Sequence, residues 1–199
     1  MNKNLKIAIT GGIGSGKSLA GYFFESQGYP VIRADVLAKE LMQSDPSVRE
    51  KIVKEFGKDS FTENSLNSDY LRKNIFHSKE NLERINAIVH PVTIKKIEQL
   101  SKIFFKDHKI VFIESALVYE AKLSKAFDYV LLIKSEEKIR FDRVIARDDV
   151  NEENVKRIMA NQISDDKKKK LADFVIENNG TVSDLESKCR FILSVLQSL

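Results

Sequence analysis

The segment Gly11-Gly12-Ile13-Gly14-Ser15-Gly16-Lys17-Ser18 constrains this chain more than any other, because it matches G-x-x-x-x-G-K-[ST] in full. Its surroundings give the match its force. The apolar run Lys6-Ile7-Ala8-Ile9, closed by Thr10, predicts a buried strand before it. After it the pattern predicts a helix from Lys17 to about Gln27, stopped by Gly28. Between strand and helix, glycines let backbone N–H groups converge on phosphate oxygens, and the helix N-terminus adds partial positive charge. Lys17 can then reach the β- and γ-phosphates, and Ser18 can offer its hydroxyl to Mg²⁺. A glycine turn that merely packs a helix on a sheet has no need of Lys-Ser at this spacing. The motif is therefore a nucleotide-phosphate loop, and by itself it leaves the phosphoryl acceptor open.

The rest of the chain alternates strands with helices. Val31-Ile32 reads as a second strand with Asp35 just past its end, followed by a helix to about Met42. Ser44-Asp45-Pro46 starts another helix, which ends at Gly57. Helical segments run from about Tyr70 to Phe105, with His90-Pro91 predicting a bend or break. Further strands are predicted at Lys109–Ile113, Tyr129–Ile133 and Phe174–Ile176. Helices are predicted at about Ser135–Arg147, Asn151–Gln162 and Val182–Leu196, the second with Asn151 as its N-cap. This order implies an α/β fold with a parallel sheet and helices on both faces. The helical block from about 36 to 105 is too long for one crossover, so it reads as an inserted substrate lobe in one domain spanning 1–199.

Charge narrows the partners. A formal charge of +4, from 33 cations against 29 anions, suits a polyphosphate ligand but is no nucleic-acid signature. No helix-turn-helix, zinc-finger or RNP pattern would place bases, so no nucleic-acid partner is expected. No apolar run is long enough to cross a bilayer, and no signal-peptide pattern precedes the first strand, so no membrane association is expected. The single cysteine, Cys189, agrees with a reducing cytoplasm.

Phosphoryl transfer to an alcohol needs an acceptor-side carboxylate and cations for developing charge. Asp35, past the second strand, can orient a hydroxyl and take its proton, or can cap the next helix. Arg140, Arg143 and Arg147 share one helix face, and Lys156 and Arg157 follow on the next helix. This hairpin, about 135–165, is either a lid closing on phosphates or a solvated face paired with nearby acids. Glu114, ending the third strand, can hold Mg²⁺ through water or face solvent. The run Lys167 to Lys170 reads as a solvated helix face.

Several of these stretches, in order, resemble the dephospho-coenzyme A kinase family. They are "ITGGIGSGKS", with Thr10 before the loop; "GYPVIRADVLAKEL", with Asp35; "SDYLRKNIF", with Leu71, Arg72 and Phe76; and "INAIVHPV", with His90 and Pro91. "RVIARDD" supplies Arg143, Arg147 and Asp148, "RIMANQ" supplies Arg157 and Gln162, and "ADFVIENNG" closes the series.

The resemblance implies a three-layer P-loop core like that of adenylate kinase, with a five-stranded parallel sheet, a helical coenzyme A lobe and a two-helix lid. It implies ATP-dependent, Mg²⁺-assisted phosphorylation of the ribose 3′-hydroxyl of dephospho-coenzyme A. On that reading Asp35, Lys17 and Arg143 are catalytic, and Ser18 and Glu114 serve the metal. Gly12, Ile13, Gly14, Ser15, Gly16, Lys17, Ser18, Leu19 and Arg147 hold the nucleotide, and Thr10, Asp35, Arg72 and His90 hold the acceptor. The chain departs from the family pattern at Arg33, where Asp is common, at Leu19, where Thr is common, and at Ala116 to Glu120, where the family has Pro-Leu-Leu-Phe-Glu. Another metabolite or nucleoside monophosphate kinase is the nearest alternative. A GTP-dependent switch would need a late Asn-Lys-x-Asp stretch, and the only Asn-Lys is at positions 2 and 3.

Overall fold

The structure, a computed structural model, describes residues 3–63, 65–75, 78–147 and 151–199. Phe76 and Asp148, two positions in the motifs above, lie outside the described residues. The described chain forms two compact units, residues 1–33 with 101–199 and residues 34–100.

The first unit is built on a five-stranded sheet of β1 (Leu5–Thr10), β2 (Val31–Arg33), β3 (Ile110–Glu114), β4 (Tyr129–Lys134) and β5 (Phe174–Glu177). The strands lie in the order β2-β3-β1-β4-β5, and every pairing is parallel. β1 is central, which explains its apolar run: alternate residues face opposite sides, and both sides are covered. Ile7 and Ile9 enter a core with Phe23 and Phe24 of α1 (Lys17–Ser26) and Leu185, Cys189 and Leu196 of α9 (Val182–Gln197). Ala8 faces the other way, against Val118, Tyr119 and Val130. Phe24 stacks on Phe112 of β3 at 4.0 Å, and each such buried ring contributes roughly 1.5–3 kcal/mol. Because all strands are parallel, their C-terminal residues Thr10, Arg33, Glu114, Lys134 and Glu177 share one edge of the sheet.

Local signals set the helix ends. α9 opens with a capping box in which Thr181 and Asp184 serve each other's backbone N–H. The bonds from Thr181 hold the Asp184 carboxyl below its usual range. Between β4 and β5 run α6 (Glu137–Arg147), α7 (Glu152–Ala160) and the short α8 (Asp165–Lys169). Asn151 caps α7 as predicted, accepting the Glu153 N–H at 2.8 Å. α7 stops at Ala160 rather than reaching Gln162.

The second unit is helical: α2 (Ala34–Ser44), α3 (Pro46–Phe56), α4 (Ser68–Ile75) and most of α5 (Lys79–Phe104). Its core joins Val48, Ile52, Leu71, Ile75, Ile85 and Val89. Asp45 caps α3 by accepting the N–H groups of Ser47 and Val48, with Pro46 at the first helical position as the sequence predicts.

Two expectations are corrected. His90-Pro91 does not break its helix, because α5 runs unbroken through Pro91. A proline removes one helical donor, and the apolar positions Ile85, Val89 and Ile97, buried on either side of it, keep the helix in place. The lysine run is not wholly a solvated face: Lys168 is fully buried, while Lys167, Lys169 and Lys170 are exposed.

Candidate active site

The chain leaves β1 at Thr10 and enters α1 at Lys17, so residues 11–16 form the connecting loop. Gly16 is the N-cap of α1, with φ 96° and ψ 16°, and among the described residues no side chain caps the first turn. First-turn N–H groups have no partner inside their helix, so this end of α1 is suited to an anion. Gly14 also has a left-handed φ of 77°. A Cβ at Gly14 would strike the Arg140 carbonyl oxygen, and one at Gly16 would strike Asn178 Nδ2. At both positions the backbone and the close approach demand glycine.

The loop is braced from beneath. The Ser15 carbonyl accepts Asn178 Nδ2 at 2.8 Å and the Ser135 hydroxyl at 3.3 Å, tying the loop to the segments that leave β5 and β4. It is held from the side as well. Gln162 Oε1 accepts the Ile13 N–H at 3.0 Å, and the Arg140 guanidinium fills the space a side chain on Gly12 would need. A mixed-charge cleft of about 880 Å³ opens beside these residues, lined by Lys134, Arg140, Lys156, Gln162 and Asn179 among others.

Lys17 and Ser18 begin α1 and are half-buried, and Leu19 is exposed. Ser18 Oγ donates to Glu114 Oε1 at 2.5 Å. Glu114 is only 7% exposed, and its other oxygen, Oε2, has no hydrogen-bond partner among the described residues. That oxygen faces Arg33 Nε at 3.7 Å. Arg33 is fixed in turn by two 2.7 Å bonds to the Glu25 carboxylate and by the Tyr22 ring, 4.7 Å from its centroid. These residues fit a hard divalent cation. A hydroxyl that gives its proton to a carboxylate keeps its lone pairs for a metal, and all the donors here are oxygens. Among the described residues no group of three or more His, Cys, Asp or Glu could hold a metal. A cation held largely by phosphates and water needs none.

The arginines of α6 separate in the structure. Arg143 donates to Ser135 Oγ at 3.2 Å and to the carbonyls of Asn178 at 3.0 Å and Gly180 at 3.3 Å. Arg140 is the one packed on the loop glycines. Arg147, in the last turn of α6, is exposed. Thr10 is fully buried at the end of β1, and its hydroxyl has no hydrogen-bond partner among the described residues.

The remaining sequence candidates belong to the second unit. Asp35 is exposed and lies in the first turn of α2, one residue inside the helix rather than at its N-cap. There its charge suits the helix dipole. Arg72, exposed on α4, pairs with Asp69 at 3.7 Å. His90 is half-buried in α5, and that burial pulls its imidazole pKa below the ordinary value.

Comparison with known proteins decides the family. The family model described as dephospho-CoA kinase matches residues 5–184. The chain belongs to the dephospho-CoA kinase family. It is 34% identical over 183 residues to the dephospho-CoA kinase of Fusobacterium nucleatum, covering 92% of this chain and 93% of that one. It is 33% identical over 194 residues to the dephospho-CoA kinase of Dichelobacter nodosus, covering 97% and 98%. The solved dephospho-CoA kinase from Campylobacter jejuni superposes with a TM-score of 0.71 at 26% identity, covering 96% of each chain. The core is thus that of a P-loop kinase.

Ser135, Gln162 and Asn178 brace the loop without a role readable from sequence, and Arg140, a lid or solvated-face arginine by its spacing, packs on the loop as well. Arg140 was visible only as one of three arginines on a helix face, and Gln162 only as part of a motif. Asn178 and Ser135 are short polar residues at strand ends, and nothing in their spacing points to Ser15. The departure at Arg33 now has a physical setting, as a cation fixed between Glu25 and Glu114.

Proposed function

We propose that the chain transfers the γ-phosphoryl group of ATP to the ribose 3′-hydroxyl of dephospho-coenzyme A, giving coenzyme A and ADP. The observation that carries this reading is the Ser18–Glu114 pair at the mouth of a phosphate loop, in a chain that matches its family from residue 5 to 184. The loop N–H groups and Lys17 bind and align the β- and γ-phosphates. Ser18 and Glu114 would hold Mg²⁺, which when bound neutralises charge on the phosphates. Asp35 orients the 3′-hydroxyl and takes its proton as the new O–P bond forms. The bond from the γ-phosphorus to the β,γ-bridging oxygen breaks, and ADP carries away that electron pair. Arg143 and Arg147, in a lid of about 135–165, offset the developing charge, and Ile13 and Leu19 flank the nucleotide's loop contacts.

On this reading the helical unit, 34–100, is the acceptor lobe, with Asp35, Arg72 and His90 as its acceptor contacts, and Thr10 is a further acceptor contact on the sheet unit. A cytoplasmic setting suits Cys189, a free and buried cysteine whose thiol pKa burial pushes up to about 12, leaving it unreactive. A coupled assay of ADP release, run with dephospho-coenzyme A, nucleoside monophosphates and shikimate as acceptors, tests the proposal. Turnover should appear with dephospho-coenzyme A alone. Preference for either of the others would overturn the acceptor assignment and leave the phosphate loop standing.

A further inference from the structure

Lys168 is fully buried within a run of four lysines, where the other three are exposed. An ammonium ion withdrawn from water needs a compensating charge. Its Nζ lies 2.8 Å from Glu120 Oε1. The same oxygen accepts the Ile163 N–H at 3.0 Å, so one carboxylate ties α8 to the turn before it. That turn carries Gln162, whose Oε1 holds the Ile13 N–H of the phosphate loop. Two residues past Ile163, the largely buried Asp165 faces Arg140 Nε at 3.7 Å, and Arg140 packs on Gly12. Burial pushes the Asp165 carboxyl above its usual range, against the opposing pull of Arg140, Lys168 and Lys134. Two contacts on the loop, from Gln162 and Arg140, thus lie beside two largely buried ion pairs, Lys168–Glu120 and Arg140–Asp165, carried by one short stretch of chain.

We propose that Lys168 is a positioning residue for nucleotide binding: its pair with Glu120 anchors the 162–165 turn, which clamps the Gly12–Ile13 half of the phosphate loop. The inference rests on the nucleotide reading of that loop. Its physical basis is pre-organisation. A glycine-rich loop has many backbone conformations available, and ordering it on binding weakens affinity unless something else has ordered it already. A buried ion pair adds little net stability against an apolar pair of the same volume, so its presence here is better explained by what it positions.

Lys168→Met keeps the length of the side chain and removes its charge. Titration with a fluorescent N-methylanthraniloyl ADP and Mg²⁺ should show nucleotide affinity weakened by about tenfold, a loss typical of a disturbed network. In steady-state assays the KM for ATP should rise by a similar factor, while the KM for dephospho-coenzyme A stays within about twofold. Lys168→Arg should restore part of the affinity. Gln162→Ala should weaken nucleotide binding alike, and the Lys168→Met/Gln162→Ala double variant should be no weaker than the worse single one, because both act through one contact. Should Lys168→Met not fold, Lys168→Met/Glu120→Gln leaves no lone buried charge and should show the same selective loss. Wild-type nucleotide affinity in either folded variant, equal changes in both KM values, or independent additivity of Lys168→Met and Gln162→Ala would overturn the clamp. Failure of the wild-type protein to bind the fluorescent nucleotide would instead overturn the reading of the loop on which the clamp depends.

Discussion

The sheet unit and the helical unit both close over apolar cores, but their candidate residues stand in different surroundings. In the sheet unit the site is made of backbone and buried polar bonds. Ser15, Thr10 and Glu114 are all buried at the sheet's C-terminal edge, and Asn178, Ser135 and Gln162 reach into the loop. In the helical unit the core is apolar, and Asp35 and Arg72 stand on the helix surfaces. Substitutions at the buried loop-side positions therefore risk the fold itself, whereas Asp35 and Arg72 can be changed while the fold stays put.

The largest expected effect comes from the loop. Lys17→Ala should lower turnover by about three to five orders of magnitude, the scale on which phosphoryl transfer depends on one placed cation. Lys17 opens α1 at its half-buried first position, so cooperative thermal unfolding should persist. Loss of both would make the residue structural.

Asp35→Asn sharpens the contrast from the other unit. Turnover should fall by about two to four orders of magnitude, as for loss of a general base, with ATP affinity nearly unchanged. Because Asp35 is exposed in the first turn of α2, thermal stability should move little. Turnover within about threefold of wild type would name another base.

Arg143→Ala is expected to cost roughly a hundredfold in turnover, in line with removing one charge-stabilising group. Its bonds to Ser135 and to the Asn178 and Gly180 carbonyls also predict a measurable drop in melting temperature. A stability loss with wild-type kinetics would reassign it as a brace between α6 and the β5–α9 turn.

The smallest effect is at His90. Burial lowers its folded pKa below the unfolded value of 6.5. The unfolded chain therefore takes up a proton first as pH falls, and the wild type should lose stability progressively below about pH 6.5. His90→Gln should flatten that slope in denaturant titrations between about pH 7 and 5. An unchanged slope would mean that His90 gives no net pH linkage.

Sequence reading reached the fold through period and punctuation. The strands to within a residue, the helix start at Ser44-Asp45-Pro46, the Asn151 cap and the phosphate loop follow from local chemistry that a linear pattern records. What it missed depends on contacts across long sequence separations. Asn178 meets Ser15 across 163 residues and Gln162 meets Ile13 across 149, and neither pairing leaves a periodic trace. Lys168 was hidden for a related reason, since four consecutive lysines look alike until Glu120 selects one. The break expected at Pro91 does not occur, because a proline's local preference yields to the packing of the helix around it.

Phosphorus NMR of the product formed from ATP and dephospho-coenzyme A tests the central claim most directly. The account predicts one new phosphomonoester resonance, coupled to the ribose 3′ proton and rising in step with ADP. ADP release without that signal, or phosphorylation at any other hydroxyl of the acceptor, would contradict it.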